Sequence, residues 1–446
     1  MISKKLAKTI FDEALAASTA DETLVILSGG KSSLARFCNS QMDQHVLKKN
    51  YTVTVVTAFG RKVGVASSNL FERGELIRIV DVASTVAKRQ KEDPLWQPLS
   101  SLIDYSFPEN VFDEMTTAEN PSGRAEAVAK ITQTCVDSGN KVAGSLTTGD
   151  ELLAIGTSHG LFAYHNWTNA DFTLTVETPS GSSGWSEGCA NSISALDLDL
   201  LTQRAIKKAE LAKDPIDIDF GEYDTILEPP AAGTLLRHMA VAGMGGLGFN
   251  EDRSFMSNRL GEKILGENIT ITDDYSKGTM KGLPFDFEGI PRQKLVMFEN
   301  GVAKAVAHSR RTSAKAEVPN TGHALAYPSI YGPLPLNVHL QAGTTPKDDI
   351  IKNAKKALLV TRTWYESITN PKLPELTGMT RDGTYLVENG QITKAVKNLR
   401  FNENLSSLFS RVTDISKEVE TLNCWGLTIT SPTLYVKDFT VTGQTE

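Results

Sequence analysis

The chain has 446 residues, 40% of them hydrophobic and 22% charged, ordinary proportions for a globular protein of two or three domains. Lys plus Arg total 46 and Asp plus Glu 53; the net charge of −7 argues against affinity gained by neutralising nucleic-acid phosphates. The four cysteines (Cys38, Cys135, Cys189, Cys424) make no CxxC pair, and the seven histidines make no HxH or HxxxH pair, which excludes compact zinc motifs and a disulfide framework.

Taken in chain order, residues 4–19 space Leu6, Ile10, Phe11, Ala14 and Leu15 as one face of an amphipathic helix. This segment lacks the apolar core of a signal peptide, and no run reaches the 18 apolar residues of a membrane span. A cytoplasmic location follows as the default. Leu24–Leu27 reads as a short buried strand. Alternation on either side of Phe59-Gly60-Arg61-Lys62 predicts a hairpin over 51–67. Helical spacing returns at 75–89, and 91–123 reads as a linker or long loop. A helix at 124–137 is followed by β-like runs near 141–147, 151–157, 160–166 and 171–178. The composition of 179–188 predicts a flexible loop, and a helix at 198–213 ends at Asp214-Pro215. A helix from Ala232 to Gly243 opens the last third. There, two Asn-Gly hairpins, 298–306 and 387–396, share one turn chemistry because a type I′ turn needs positive φ at both central residues. Further helices are expected near 348–368 and 403–417.

The fold class these elements predict is α+β. N-terminal α/β-type segments with mixed or antiparallel sheets precede a β-rich C-terminal domain. The expected divisions are 1–105, 106–220 and 221–446.

Two phosphate-binding lures fail on local grounds. Before Gly30-Lys31, a P-loop needs glycine where Val25 stands, and the pattern of ATP pyrophosphatases needs aspartate where Ser32 stands, so Leu27–Ser33 reads as a plain turn. The run Gly243-Met244-Gly245-Gly246-Leu247-Gly248 follows a helix instead of a strand, which fits a helix terminator or hinge and not a dinucleotide fingerprint. His45, His159, His165 and His339 read as surface or satisfied core histidines. His238 sits on the predicted helix, but Thr234 and Ala242 occupy the places four residues away where a second zinc-binding histidine would stand.

Several short patterns, in order and spacing over nearly the whole chain, resemble the TldD/PmbA family, and within it the PmbA type. They are Arg36-Phe37-Cys38-Asn39 with Gln44, Gly60-Arg61-Lys62, Trp185-Ser186-Glu187-Gly188, Leu227-Glu228-Pro229-Pro230, Phe285-Asp286-Phe287-Glu288-Gly289 and Asn320-Thr321-Gly322-His323. The resemblance implies a heterodimeric metallopeptidase acting on unfolded or ribosomally made peptides. Its zinc would sit in the other half, on a helical His-Glu-x-x-x-His and a distant cysteine. Under the resemblance, residues 221–446 correspond to the metallopeptidase domain. Arg237 then falls on the first histidine, His238 on the glutamate and Ala242 on the second histidine, leaving Cys424 alone at a ligand place.

No catalytic or metal-binding residue and no cofactor is therefore expected in this chain, with zinc expected in a TldD-like partner subunit. Arg237, His238 and His323 are candidate cleft residues; His238 and Cys424 stand open between packing, a role in the partner's substrate channel and a metal site. The rival readings are a self-associating, homodimeric peptide-binding scaffold, and an independent hydrolase built on His238, His308, His323 and Cys424. No membrane association and no direct nucleic-acid contact are expected.

Overall fold

The computed structural model describes residues 1–101, 103–118 and 120–444. Leu102 and Glu119, both in the expected 91–123 loop, lie outside the described residues, as do Thr445 and Glu446. The N-terminal half runs α1 (Lys4–Ala17), β1 (Glu22–Cys38), β2 (Gln41–Phe59), β3 (Lys62–Ser68), α2 (Arg73–Arg89), α3 (Pro121–Asp137), β4 (Lys141–Thr157), β5 (Phe162–Glu177), β6 (Ser183–Ala190) and α4 (Leu198–Leu211). The strands form one antiparallel sheet in the order β3-β2-β1-β4-β5-β6. Residues 1–105 and 106–220 thus share a single sheet, joined by the β1–β4 pairing.

Helix α1 forms where the sequence spaces its apolar residues, capped by Ser3, which accepts from the Leu6 N–H at 3.2 Å. It buries Ala7, Ile10, Phe11 and Ala14, and with α2 covers Val25 and Leu27 of β1 and Leu152 and Ala154 of β4. Helices α3 and α4 cover Val142 and Leu146 further along β4. These four β4 residues are all even-numbered, so by the two-residue strand period all four helices pack on one face of the sheet. The opposite face is covered at one end by Leu99, Phe285 and their neighbours.

Three sequence expectations fail here. Leu27–Ser33 is the interior of β1 and not a turn. Gly29 and Gly30 serve close strand approach, since a methyl on Gly30 would stand 2.0 Å from the Asp150 carbonyl oxygen. The four runs between 141 and 178 are two long strands, because their polar middles pair with each other across β4–β5, as in Gly149↔Asn169. Most of the predicted loop 179–188 is strand β6. Its Ser186 hydroxyl donates to the Leu201 carbonyl of α4 at 2.7 Å, while the Cys189 thiol points to the Thr421 carbonyl in the other half at 3.4 Å.

The C-terminal half runs β7 (Gly221–Leu227), α5 (Pro229–Gly243), α6 (Gly246–Asn250), β8 (Ile271–Asp273), β9 (Leu295–Glu299), β10 (Val302–Ala303), α7 (Arg310–Ala316), β11 (Asn337–Leu340), α8 (Lys347–Asn353), β12 (Lys356–Asn370), β13 (Glu375–Glu388), β14 (Gln391–Ala395), β15 (Leu399–Asn404), α9 (Leu405–Ser410), β16 (Val412–Cys424) and β17 (Leu427–Gln444). Its mixed sheet has the order β10-β9-β8-β11-β17-β15-β13-β12-β7, with β7 pairing back onto β17, so that the last five strands close into a ring. The fold class is α+β, as expected, and both Asn-Gly hairpins form.

The expected helices at 348–368 and 403–417 shrink to the short α8 and α9, and strands β12 and β16 take over from Lys356 and Val412. Apolar runs of this length satisfy either period, and the pairing of β12 with β13 and of β16 with β17 decides. Among the described residues no helix is long and apolar enough to cross a membrane.

Candidate functional site

Helix α5 lies in the main core of the C-terminal half, burying Ala231, Ala232, Leu235, Leu236, Met239 and Ala240. Pro229 and Pro230 occupy its first turn, where missing N–H groups cost nothing. Gly233 lets it approach β16, for a Cβ there would lie 2.5 Å from Leu422 Cδ1. The helix leaves one stripe partly uncovered: Thr234, Arg237, His238, Val241 and Ala242, at the i, i+3, i+4, i+7, i+8 spacing of a single face. All three helical positions singled out from sequence lie on this stripe.

Its N-terminus is fixed by charge. Glu228 accepts hydrogen bonds from Lys208 of α4 and from Lys347 Nζ at 2.7 Å, and Lys208 also donates to Thr361 at 2.7 Å. Burial alone would raise the Glu228 carboxyl, but Lys208 and Lys347 hold it well below the usual carboxylate range. This buried triad anchors the start of α5 to the N-terminal half.

Three further elements close a cavity of about 450 Å³ over the stripe. The β16–β17 turn brings Cys424 (7% exposed) and Trp425 (84% exposed). In β12 a bulge sets Tyr365 and Glu366 opposite the single residue Gly378, and Tyr365 takes a positive φ of 54°; this re-aims Trp364, Tyr365 and Glu366 along the cavity wall. From β6 come Trp185 and Glu187. Arg362 ties the two halves together: its Nε donates to Asp382 at 2.9 Å, and its guanidinium lies 4.4 Å from the Trp185 ring centroid and 5.0 Å from that of Trp364. Glu187 also borders a larger cavity of about 710 Å³ between β6, α4 and β16, so the two spaces share one wall.

The electrostatics follow from partial burial. The Glu187 carboxyl is pushed up to about 8 by burial, with Glu420 and Asp171 adding to the rise and Arg362 opposing it. His238 is pushed down to about 4 by burial and by Arg237, so the imidazole is neutral at pH 7. Arg237 Nη1 lies 3.4 Å from His238 Nε2. Burial, with Glu187 next, pushes the Cys424 thiol far above its ordinary value.

This donor set does not fit a catalytic zinc, which takes three deprotonated or neutral ligands and an open position. The Arg237 guanidinium repels a dication, and the adjacent His238 Nε2 faces that guanidinium. Ala242 presents only a methyl, and burial opposes ionisation of the Cys424 thiol. Among the described residues no group of three His, Cys, Asp or Glu side chains converges at a spacing suited to a metal.

Of the sequence candidates, the structure brings Arg237, His238 and Cys424 to one cavity, with Ala242 one turn further along the helix. It does not bring His323 there. That imidazole is fully buried, its Nδ1 2.9 Å from Thr321 Oγ1 and its Nε2 3.3 Å from Asp273 Oδ1, beside Arg292. His308 is buried against Thr312, His165 stacks between Phe107 and Trp167, and His339 points to the Asp274 carbonyl at 2.9 Å. Glu187, Arg362, Trp364 and Glu366 were not among the sequence candidates. Glu187 belongs to the Trp185-Ser186-Glu187-Gly188 pattern, whereas the other three lie in the 348–368 stretch, where the sequence predicts a helix and no spacing signals them.

Residues 220–443 match the family model described as PmbA/TldA metallopeptidase C-terminal domain. A metalloprotease of Methanocaldococcus jannaschii is 26% identical over 205 residues, 45% of this chain and 44% of that protein. The aligned stretch thus spans less than half of that relative's length. Metalloprotease PmbA of Escherichia coli is 22% identical over 375 residues, 80% of this chain and 79% of its own. The crystal structure of TldE from Thermococcus kodakarensis superposes with a TM-score of 0.88 at 18% identity, covering 98% of this chain and all of that one, and so shares the fold.

Proposed function

The chain belongs to the PmbA/TldD metallopeptidase family, and from that premise we propose that it is the half of a two-subunit peptidase that lacks the catalytic zinc. It pairs with a zinc-bearing TldD-like subunit and shapes the cleft through which unfolded or ribosomally made peptide reaches that partner's metal. The observation that carries this reading is the α5 stripe. Its helix is buried and anchored at Glu228, yet Arg237, His238 and Ala242 offer no metal-binding set, and the His238 imidazole, pushed down to about 4, is only a weak base. The cleft between β6 and the β12 and β16 strands supplies walls of the size usual for ligand sites. All four cysteines are unpaired, including the exposed Cys38, which suits the reducing cytoplasm we assign to the pair.

Affinity capture of the chain from its native cell, followed by native mass spectrometry with metal quantification, tests this. The expected complex contains a second chain bearing a helical His-Glu-x-x-x-His, with zinc in the pair and none in this chain alone. A homodimer that never captures such a chain would sink the proposal. So would stoichiometric zinc in this chain alone, together with peptidase activity lost on chelation.

A further inference from the structure

The cavity on α5 has polar walls whose groups are left unsatisfied by the chain itself. Arg237 Nε, Trp364 Nε1, Thr363 Oγ1 and Glu366 Oε1 are all buried and have no hydrogen-bond partner, and all four residues line this one cavity. Buried polar atoms are almost always paired, because an unmade hydrogen bond costs the full desolvation of the group. Arg237 is the sharpest case. Arg292, Arg310, Arg362 and Arg411, the other well-covered arginines of the C-terminal half, each hold a carboxylate: Asp273, Glu288, Asp382 and Glu403. Arg237 has no carboxylate within ion-pair distance among the described residues, and its one polar contact is the neutral His238.

The geometry points to this cavity as a receptor for the C-terminal carboxylate of a peptide, with Arg237 as the carboxylate-binding group. It rests on the reading above that the cleft admits peptide. The guanidinium is planar, always charged and shaped for two parallel bonds to a carboxylate. Trp364 Nε1 adds a second unpaired donor. Glu366 Oε1 is an unpaired acceptor, which suits the N–H of the terminal residue; an inorganic anion would leave it unpaired. Exposed Trp425 and Tyr365, at 84% and 74%, form aromatic mouth walls against which an apolar terminal side chain packs. The larger cavity lies on the other side of the shared Glu187, and the cavity mouth at Trp425 and Tyr365 is open to solvent, which leaves room for the upstream peptide and favours a peptide over a free amino acid.

The test is titration of the full chain with a hexapeptide, five alanines and a terminal leucine, as the free acid and as the C-terminal amide. Calorimetry and the fluorescence of the cavity tryptophans give the readouts. The free acid is expected to bind about tenfold or more tightly than the amide, the margin of one charge-assisted pair. Arg237→Gln should erase that preference with an unchanged urea midpoint, and Trp364→Phe, which keeps a ring and loses the N–H, should reduce it several-fold. Equal binding of acid and amide, no binding of either, a preference that survives Arg237→Gln, or free leucine binding as tightly as the peptide would each overturn the proposal. A chain that captures a zinc-bearing partner yet shows no acid preference overturns this inference alone. An acid preference without a partner overturns only the two-subunit reading.

Discussion

Helix α5 carries two charged sites less than three turns apart, and they are opposites. At its start, the Glu228 carboxylate is held by two lysines, each of them paired to it. In its middle, the Arg237 guanidinium is partly buried with an unpaired Nε and no carboxylate within ion-pair distance among the described residues. A satisfied buried charge organises a fold; an unsatisfied one raises the question of what satisfies it. The same helix therefore separates structural charge from charge available to a ligand.

Removing the paired charge should do the most damage. Glu228→Gln leaves Lys208 and Lys347 without their counter-ion and is expected to cost about 3–5 kcal/mol in urea unfolding. Arg237→Gln, by contrast, should leave the urea midpoint unchanged. If the two variants lose equal stability, the contrast between the sites is wrong.

Glu187 sharpens the comparison from across the cleft. Its carboxyl titrates near 8 in the fold and in the ordinary carboxylate range when unfolded, so stability is full at low pH and drains as pH rises toward 8. Glu187→Gln should thus stabilise the chain by roughly 1–3 kcal/mol at pH 8 and by little at pH 4, as read by thermal unfolding at both values.

His238 works in the other direction. Its folded value near 4 lies below the unfolded 6.5, so its stability is complete above 6.5 and is lost as pH falls toward 4. His165 and His308, also pushed down to about 4 by burial, share this acid limb. His238→Asn should flatten the loss between pH 6.5 and 4.5 by about 1–2 kcal/mol, discounted for partial exposure. Trp425→Ala should also change little. That ring is largely in solvent, and its loss should change stability by less than about 0.5 kcal/mol.

Much of this architecture is local and could be read before any coordinates. The helical spacing of α1, α2, α3, α4 and α5 is written in their apolar residues, and the two Asn-Gly turns state their own hairpins. The positions Arg237, His238, Ala242 and Cys424 were located by pattern, and the helix period alone puts the first three on one face. Cys424 meets Arg237 and His238 because Gly233 admits the β16 hairpin to the helix.

What pairing decides stayed hidden. Residues 183–188, inside the stretch 179–188, look like a flexible loop until β5 supplies a partner, and 356–368 looks like a helix until β13 does. The consequence for the site is direct, since Glu187 lies on the first of these strands and Arg362, Trp364 and Glu366 on the second. They reach Arg237 across 50 to 129 residues of chain through strand pairing, a bulge and the packing of two sheets. The sequence alone determined which side chains α5 carries on its partly uncovered face, because residue types and helical spacing are properties of neighbouring residues. Only the tertiary structure decided what surrounds that face, because burial and unmet hydrogen bonds exist only once distant strands have met.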